Sequence, residues 1–171
     1  MNQLLNTEAM KRFASGNYCV EKGCEALIIN AKHVESAMPG EKCVKKDGDD
    51  IRVLFTNREL SCTAGAGNVF TGWGKAASGY AVFRFRVLSA LRIAMKLPAI
   101  LDKETDAAKL ISQMTRPVIQ EAIIETLDEQ TPNKETFTRI IREALEQRLS
   151  DCGLFLMAVD KTGFDNGGRR I

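Results

Sequence analysis

Four segments between Gly79 and Phe164 decide the fold of this chain. They read GYAVFRFRV (79–87), ETDAAKLISQMTRPVIQEAIIETLDEQ (104–130), NKETFTRIIREALEQRLSDCG (133–153) and GLFLMAVDKTGF (153–164). The first alternates with the period of a strand, which makes one of its faces apolar. The middle two repeat apolar residues at helical spacing. The order strand, helix, helix, strand therefore predicts an α+β fold.

The first half of the chain predicts short strands joined by tight turns. CEALIINA (24–31) and IRVLFT (51–56) are compact apolar runs, and ELSCT (59–63) follows them. Turn signals lie at the Pro-Gly pair 39–40 and at 47–50. Short connections favour antiparallel pairing. We therefore expect a mostly antiparallel, short-stranded sheet in the first half, helices packed against it in the second half, and a closing C-terminal strand.

Prolines and glycines set the expected ends of the helices. VLSALRIAMKL (87–97) predicts a short helix that Pro98 ends. Pro117 lies inside the longest helical segment, where its missing N–H predicts a kink or a break into two shorter helices. Pro132 is expected in the first turn of the last helix, and Gly153 directly after its end.

Residues 2–15 predict a short amphipathic helix, with Leu4, Leu5 and Phe13 among its apolar positions. Packing on its own domain is the simpler interpretation. The alternative is a helix that docks on a partner or a membrane surface through these residues. The expected organisation is an N-terminal amphipathic helix over 1–16, a single α+β domain over 17–165 and a flexible tail over 166–171.

Composition and charge narrow the classes of function. With 171 residues, 44% hydrophobic and 27% charged, the chain can form one globular domain with a core. Its net charge of +2 argues against a nucleic-acid partner, because such proteins usually carry a clear basic excess. The sequence shows neither an apolar run of spanning length nor a secretory signal. A cytoplasmic location is expected, with at most a peripheral membrane contact.

Side chains suited to catalysis or metal binding are sparse. The five cysteines are odd in number and include no Cys-x-x-Cys pair, which indicates reduced, mostly buried thiols. His33 is the single histidine and has no motif beside it, so neither a zinc site nor a histidine-activated nucleophile is expected. Asp49 and Asp50 fall in a turn, where solvation explains them. We predict no catalytic residues, no metal ligands and no cofactor.

The glycine-rich stretch TAGAGNVFTGWGKAASG (63–79) predicts either a flexible loop or a hairpin with irregular backbone. It fails the P-loop pattern, because Trp73 and Gly74 stand where lysine and serine or threonine are needed. Trp73 is better explained by packing in a loop or an intersubunit contact. Arg84 and Arg86 share one face of the next strand, where they could bind an anion or pair with carboxylates.

Several phrases, taken in order, resemble the SPFH (band 7) family of stomatin, prohibitin, flotillin and HflK/C, and its soluble bacterial or phage-type members in particular. The phrases are VEKGCEALII (20–29), MPGEKCV (38–44), IRVLFTNREL (51–60), GYAVFRFRV (79–87) and DCGLFLMAV (151–159). The resemblance covers roughly residues 18–164. The sequence departs from the family in having Leu88-Ser89 near the usual Asp-Pro pair. It also lacks the N-terminal membrane segment and the long coiled coil of many members.

The resemblance implies a non-enzymatic scaffold that assembles into a homo-oligomer and organises protein or membrane partners. The alternative is an intracellular ligand- or anion-binding module that uses the Gly65–Gly74 loop with Arg84 and Arg86. A cysteine-dependent enzyme is a third possibility. The candidate interaction residues are Leu4, Leu5, Phe13, Trp73, Arg84 and Arg86.

Overall fold

The computed structural model describes residues 3–14, 16, 18–70, 76–130 and 132–167. It confirms an α+β fold with antiparallel sheets. Helices contain 38% of the residues and strands 36%, so neither type dominates. The helices are α1 (Thr7–Ala14), α2 (Ala90–Lys96), α3 (Ala107–Asp128) and α4 (Lys134–Asp151), with a 3-10 turn at Pro98–Leu101. The strands are β1 (Tyr18–Cys19), β2 (Cys24–Ile29), β3 (Val34–Ala37), β4 (Lys42–Cys43), β5 (Asp50–Phe55), β6 (Leu60–Phe70), β7 (Ala76–Val87) and β8 (Leu154–Asp165).

The chain divides into two compact units. Unit 1 comprises Met1–Glu59, Arg86–Ala107 and Asp151–Phe155. Unit 2 comprises Leu60–Phe85, Ala108–Ser150 and Leu156–Ile171. Helix α1 is part of unit 1. The single domain over 17–165, with a separate N-terminal helix over 1–16, stays a prediction. No local pattern marks this division, because each unit gathers segments that are distant along the chain.

Unit 1 is built on an antiparallel three-stranded sheet in the order β3-β2-β5. The central position of β2 explains the nearly continuous burial of its residues. Helix α1 packs on β5, and α2 packs on β2 and β3. The turns at Pro39-Gly40 and Asp47-Gly48 lie where predicted. Gly48 adopts φ +87°, a conformation that favours glycine.

Unit 2 holds the helices α3 and α4 and most of the sheet β6-β7-β8. The alternation of β7 is as predicted, because Phe83 and Phe85 are buried while Tyr80 and Arg84 on the other face are partly exposed. Gly79 of the same strand lies under the helices, where an added Cβ would come within 2.9 Å of Phe137 Cζ. Because Gly79 has no side chain, α4 can lie close to the sheet at this position.

The glycine-rich stretch forms a hairpin over the part of it that the structure describes. Strand β6 extends to Phe70 and pairs antiparallel with β7, which begins at Ala76, earlier than the predicted start at Gly79. The register shifts between Ala66 and Val69. This bulge is the irregular backbone that the glycines predicted.

Helix α3 is continuous through Pro117, so of the two predicted outcomes the break into two shorter helices is wrong, and the kink stays a prediction. The chain buries Ile111 before the proline and Val118 and Ile119 directly after it. Burial on both sides favours one helix, since packing of an apolar face supplies most helical stability and offsets the lost hydrogen bond. Segments on either side of a proline can thus remain one element when both are anchored in the same core.

The start of α4 also differs from the prediction. Pro132 precedes the helix instead of lying in its first turn, and Asn133 is the cap. The Oδ1 atom of Asn133 accepts the N–H of Thr136 at 2.8 Å, which satisfies one of the unpaired donors of the first turn. Gly153 has φ +82° and closely follows the last helical residue, Asp151, as predicted.

A buried carboxylate joins β2 to α2 within unit 1. Glu25 is 4% exposed, and its Oε2 accepts the N–H of Ala90 at 2.9 Å at the start of the helix. We expect Glu25→Leu to lower the free energy of unfolding by about 1–3 kcal/mol, because the Ala90 N–H loses its buried acceptor. Glu25→Gln keeps an acceptor oxygen and should cost less. Urea denaturation of both variants checks this, and equal losses would contradict it.

Candidate functional site

The apolar candidates at the N-terminus are core residues of unit 1. Leu4, Leu5 and Phe13 are 0%, 4% and 1% exposed. Leu5 forms a β-bridge with Leu54, and the Phe13 ring lies 4.4 Å from that of Tyr18. Leu4 and Leu5 precede α1, which begins at Thr7, so the prediction that they lie on the helix is wrong. The N-terminal segment and α1 nevertheless pack on their own unit, which was the simpler of the two interpretations. In this conformation the three side chains offer no surface to a membrane or a partner.

The two arginines on β7 have neighbours in the structure. Arg84 Nε lies 2.9 Å from Asp160 Oδ2 of β8, which realises the carboxylate pairing considered from the sequence. The Arg86 guanidinium lies 5.3 Å from the centre of the Phe155 ring. Neither arginine lines the cavity described below. Trp73 and the residues 71–75 around it lie outside the described residues.

Strand β8 is a long edge strand. Within the described chain, β7 is its one hydrogen-bonded neighbour in the sheet. Met157 on β8 is 37% exposed, and Asp160 and Lys161 are exposed near the middle of the strand. At the opposite edge of the sheet lies β6, where the Ser112 hydroxyl of α3 donates to the Thr63 carbonyl at 2.7 Å. The β6 backbone is thus already engaged by a helix at one point.

An open cavity of about 740 Å³ lies within unit 2. Residues from all three strands of the sheet form its walls, and α4 contributes its first residue, Lys134. The β8 contribution is the run Lys161–Asp165, and β7 contributes Ser78, Gly79 and Tyr80. Such a volume falls in the range of small-molecule sites.

The glycines of this cavity provide space for Tyr80. An added Cβ at Gly163 would collide with the Tyr80 ring, and one at Gly65 would come within 3.3 Å of Tyr80 Cβ. Gly65 and Gly163 do not have positive φ, so their backbone conformation does not demand glycine. The sequence analysis named two of the lining residues, Gly65 and Ala66, as part of a candidate anion-binding loop and missed the others. Glycines interrupting the strand patterns were a signal that some group approaches closely.

The titratable side chains elsewhere show no catalytic arrangement among the described residues. His33 is exposed, with its Nε2 atom 3.2 Å from Glu35 Oε1. Cys19 is the exposed cysteine, and the other four are buried. Burial raises the pKa of the Cys43 thiol, which disfavours the reactive thiolate. No group of three or more potential metal ligands occurs in the part of the chain that the structure describes.

Asp49 is held ionised by its turn. Its carboxylate accepts the N–H of Lys46 at 3.0 Å and the side-chain amide of Asn30 at 3.3 Å. The backbone hydrogen bond from Lys46 is the main cause that lowers the pKa of Asp49 below its usual 3.8. A lowered pKa in the folded state adds stability above the unfolded value, and this stability is lost as the pH falls through the folded pKa.

We therefore expect Asp49→Asn to be less stable than the native chain at neutral pH, with the difference shrinking in acid below the unfolded pKa of 3.8. Chemical denaturation at a series of pH values measures the difference. Asp47→Asn, at an exposed position in the same turn, is the matched control. A difference that stayed constant from neutral to strongly acidic pH would contradict this account.

Comparison with known proteins does not assign the chain to a family. No protein-family model matches the chain, and a search of curated proteins finds no match either. No helix within the described residues is long and apolar enough to span a membrane. The resemblance to the SPFH family stays a prediction that rests on the ordered phrases quoted above.

Proposed function

We propose that this chain is a non-enzymatic scaffold module that associates with copies of itself, as the resemblance to the SPFH family implies. The observation that supports the proposal best is the edge position of β8, over its unit 2 residues 156–165. An edge strand presents a row of N–H and C=O groups that can pair with another strand. A second copy supplies an identical strand, so β8 can pair antiparallel with β8 about a two-fold axis.

The charges on β8 are the feature that opposes pairing, because charged residues commonly protect edge strands. Asp160 and Lys161 are exposed near the middle of the strand. Arg84 pairs with Asp160 within the same chain and compensates its charge. The partly exposed Met157 adds apolar area that pairing would bury. Because the charges oppose pairing and the apolar area of Met157 favours it, we expect self-association of moderate strength.

The proposal has two further parts. A cytoplasmic location is supported by the five free cysteines, since disulfides form in oxidising compartments. Protein partners would be organised by the assembly, not by the N-terminal helix, whose apolar residues are buried. Membrane docking through Leu4, Leu5 and Phe13 is therefore not part of the proposal.

Light scattering after size-exclusion chromatography tests self-association. We expect the mass to rise above that of a monomer with concentration, and Met157→Glu to weaken the association at least about tenfold, since burying an unpaired carboxylate is costly. Ile124→Glu is the control, because Ile124 is 50% exposed on α3. A monomeric mass at all concentrations, or equal weakening by both variants, would contradict the proposal.

A further inference from the structure

The cavity of unit 2 carries more positive than negative charge. Its lining includes the ammonium groups of Lys134 and Lys161 and one carboxylate, that of Asp165. Asp165 Oδ1 accepts the N–H of Gly167 at 3.0 Å. Neither lysine forms an ion pair within the described residues, whereas other basic side chains such as Arg84 and Arg139 do. With two ammonium groups and one carboxylate, the lining carries a net positive charge.

Lys134 occupies an unfavourable place for a cation. It is the first residue of the 18-residue helix α4, whose amino end carries a partial positive charge. A cation at this position is slightly unfavourable, and Glu135 in the same first turn supplies a favourable negative charge. An anion bound in the cavity would interact favourably with Lys134, Lys161 and the amino end of α4.

Tyr80 gives the same cavity a fixed aromatic wall. Its ring rests over Gly163, where a side chain of any size would displace it. The residue is 37% exposed, and Lys161 Nζ lies 6.0 Å from the centre of the ring. A flat, partly exposed ring beside a cation suits a ligand that stacks through a planar group and presents an anion. Ser78 adds a hydroxyl to the lining.

We propose that this cavity binds a small molecule in which a phosphate or carboxylate group is attached to a planar ring. Lys134 and Lys161 contact the anionic group, and Tyr80 packs against the ring. The site lies wholly within unit 2 and needs no second copy of the chain, so it stands apart from the scaffold function.

Four probes separate the parts of this recognition. Phenyl phosphate and benzoate carry both ring and anion, phenol has the ring alone, and inorganic phosphate has the anion alone. Binding to the full chain is followed by backbone amide NMR shifts. We expect at least one of the first two to shift the amides of Gly65, Ser78–Tyr80 and Lys161–Asp165 at low-millimolar concentration. Phenol and inorganic phosphate should bind about tenfold more weakly, as the loss of one good contact predicts.

Comparing phenyl phosphate with benzoate shows which anionic group the cavity prefers. Tighter binding of phenyl phosphate assigns the site to phosphorylated compounds, and tighter binding of benzoate assigns it to carboxylates. Either result supports the proposal. Absence of localised shifts with both probes, or a response to phenol equal to that of the tighter-binding ring anion, overturns it.

Variants separate binding from folding. Lys161→Met should weaken the bound probe about tenfold through the lost charged contact, while Lys109→Met, at an exposed position on α3, should leave it unchanged. Lys134→Gln should weaken binding and leave the melting temperature equal or higher, because it removes a cation from the helix start. Unchanged affinity in both cavity variants overturns the proposal.

Discussion

Replacing Phe137 with alanine is expected to lower the free energy of unfolding by about 3–5 kcal/mol, the usual cost of truncating a buried phenylalanine. Phe137 is fully buried, and its ring stacks on that of Phe164 with centres 5.4 Å apart and planes inclined by 21°. It also fills the space above Gly79, which has no side chain to close the gap. The cavity left in Phe137→Ala would therefore lie between α4 and the sheet.

Urea denaturation of Phe137→Ala measures this loss, and Phe70→Ala is the matched control. Phe70 is 73% exposed on β6, so its truncation should change stability by no more than about 0.5 kcal/mol. A similar small change for Phe137→Ala would mean that α4 does not pack on β7 as described.

Gly153→Ala is expected to be the most damaging glycine substitution in unit 1. Gly153 has φ +82°, and an added Cβ would lie 2.5 Å from the carbonyl oxygen of Ser89 and 2.7 Å from Arg92 Cβ. The left-handed conformation alone costs an L-residue roughly 1–2 kcal/mol. The clash adds to this because Ser89 O is backbone, and the Gly153 carbonyl itself accepts the N–H groups of Leu88 and Ser89.

We expect a total loss of about 2–4 kcal/mol for Gly153→Ala, in the range of a local strain combined with overpacking. Gly67→Ala is the control, since no atom lies within 4 Å of a Cβ there and its φ is not positive. Thermal unfolding of both variants measures the contrast. Equal melting temperatures for the two would show that the chain does not make the described turn at Gly153.

The sequence predicted the elements whose patterns lie within a few neighbouring residues. The alternation of β7 and the apolar spacing of α4 came from neighbouring residues, and both elements occur as expected. The glycine-rich stretch allowed two outcomes, because alanine and glycine have little preference for strands. Pairing with β7 selected the hairpin, and that pairing joins residues as far apart as Leu60 and Phe85.

The candidate site depended on contacts that no local pattern contains. The cavity joins Gly65, Tyr80, Lys134 and the run Lys161–Asp165, which are distant along the chain. No sequence motif marks Lys134, Lys161 or Gly163. They line one cavity because β7 and β8 lie side by side. Conversely, Leu4, Leu5 and Phe13 drew attention as an apolar face, although their partners in unit 1 cover them.

The central claim is that β8 pairs with β8 of a second copy. The most direct test is to measure hydrogen exchange of the β8 amides at low and at high protein concentration. In a free edge strand, the N–H groups that point away from β7 exchange readily, and pairing would protect them. We predict that protection within 156–165 rises with concentration over the range in which the mass rises, while that of β6 stays constant. Protection of β8 that is the same at both concentrations would contradict the claim.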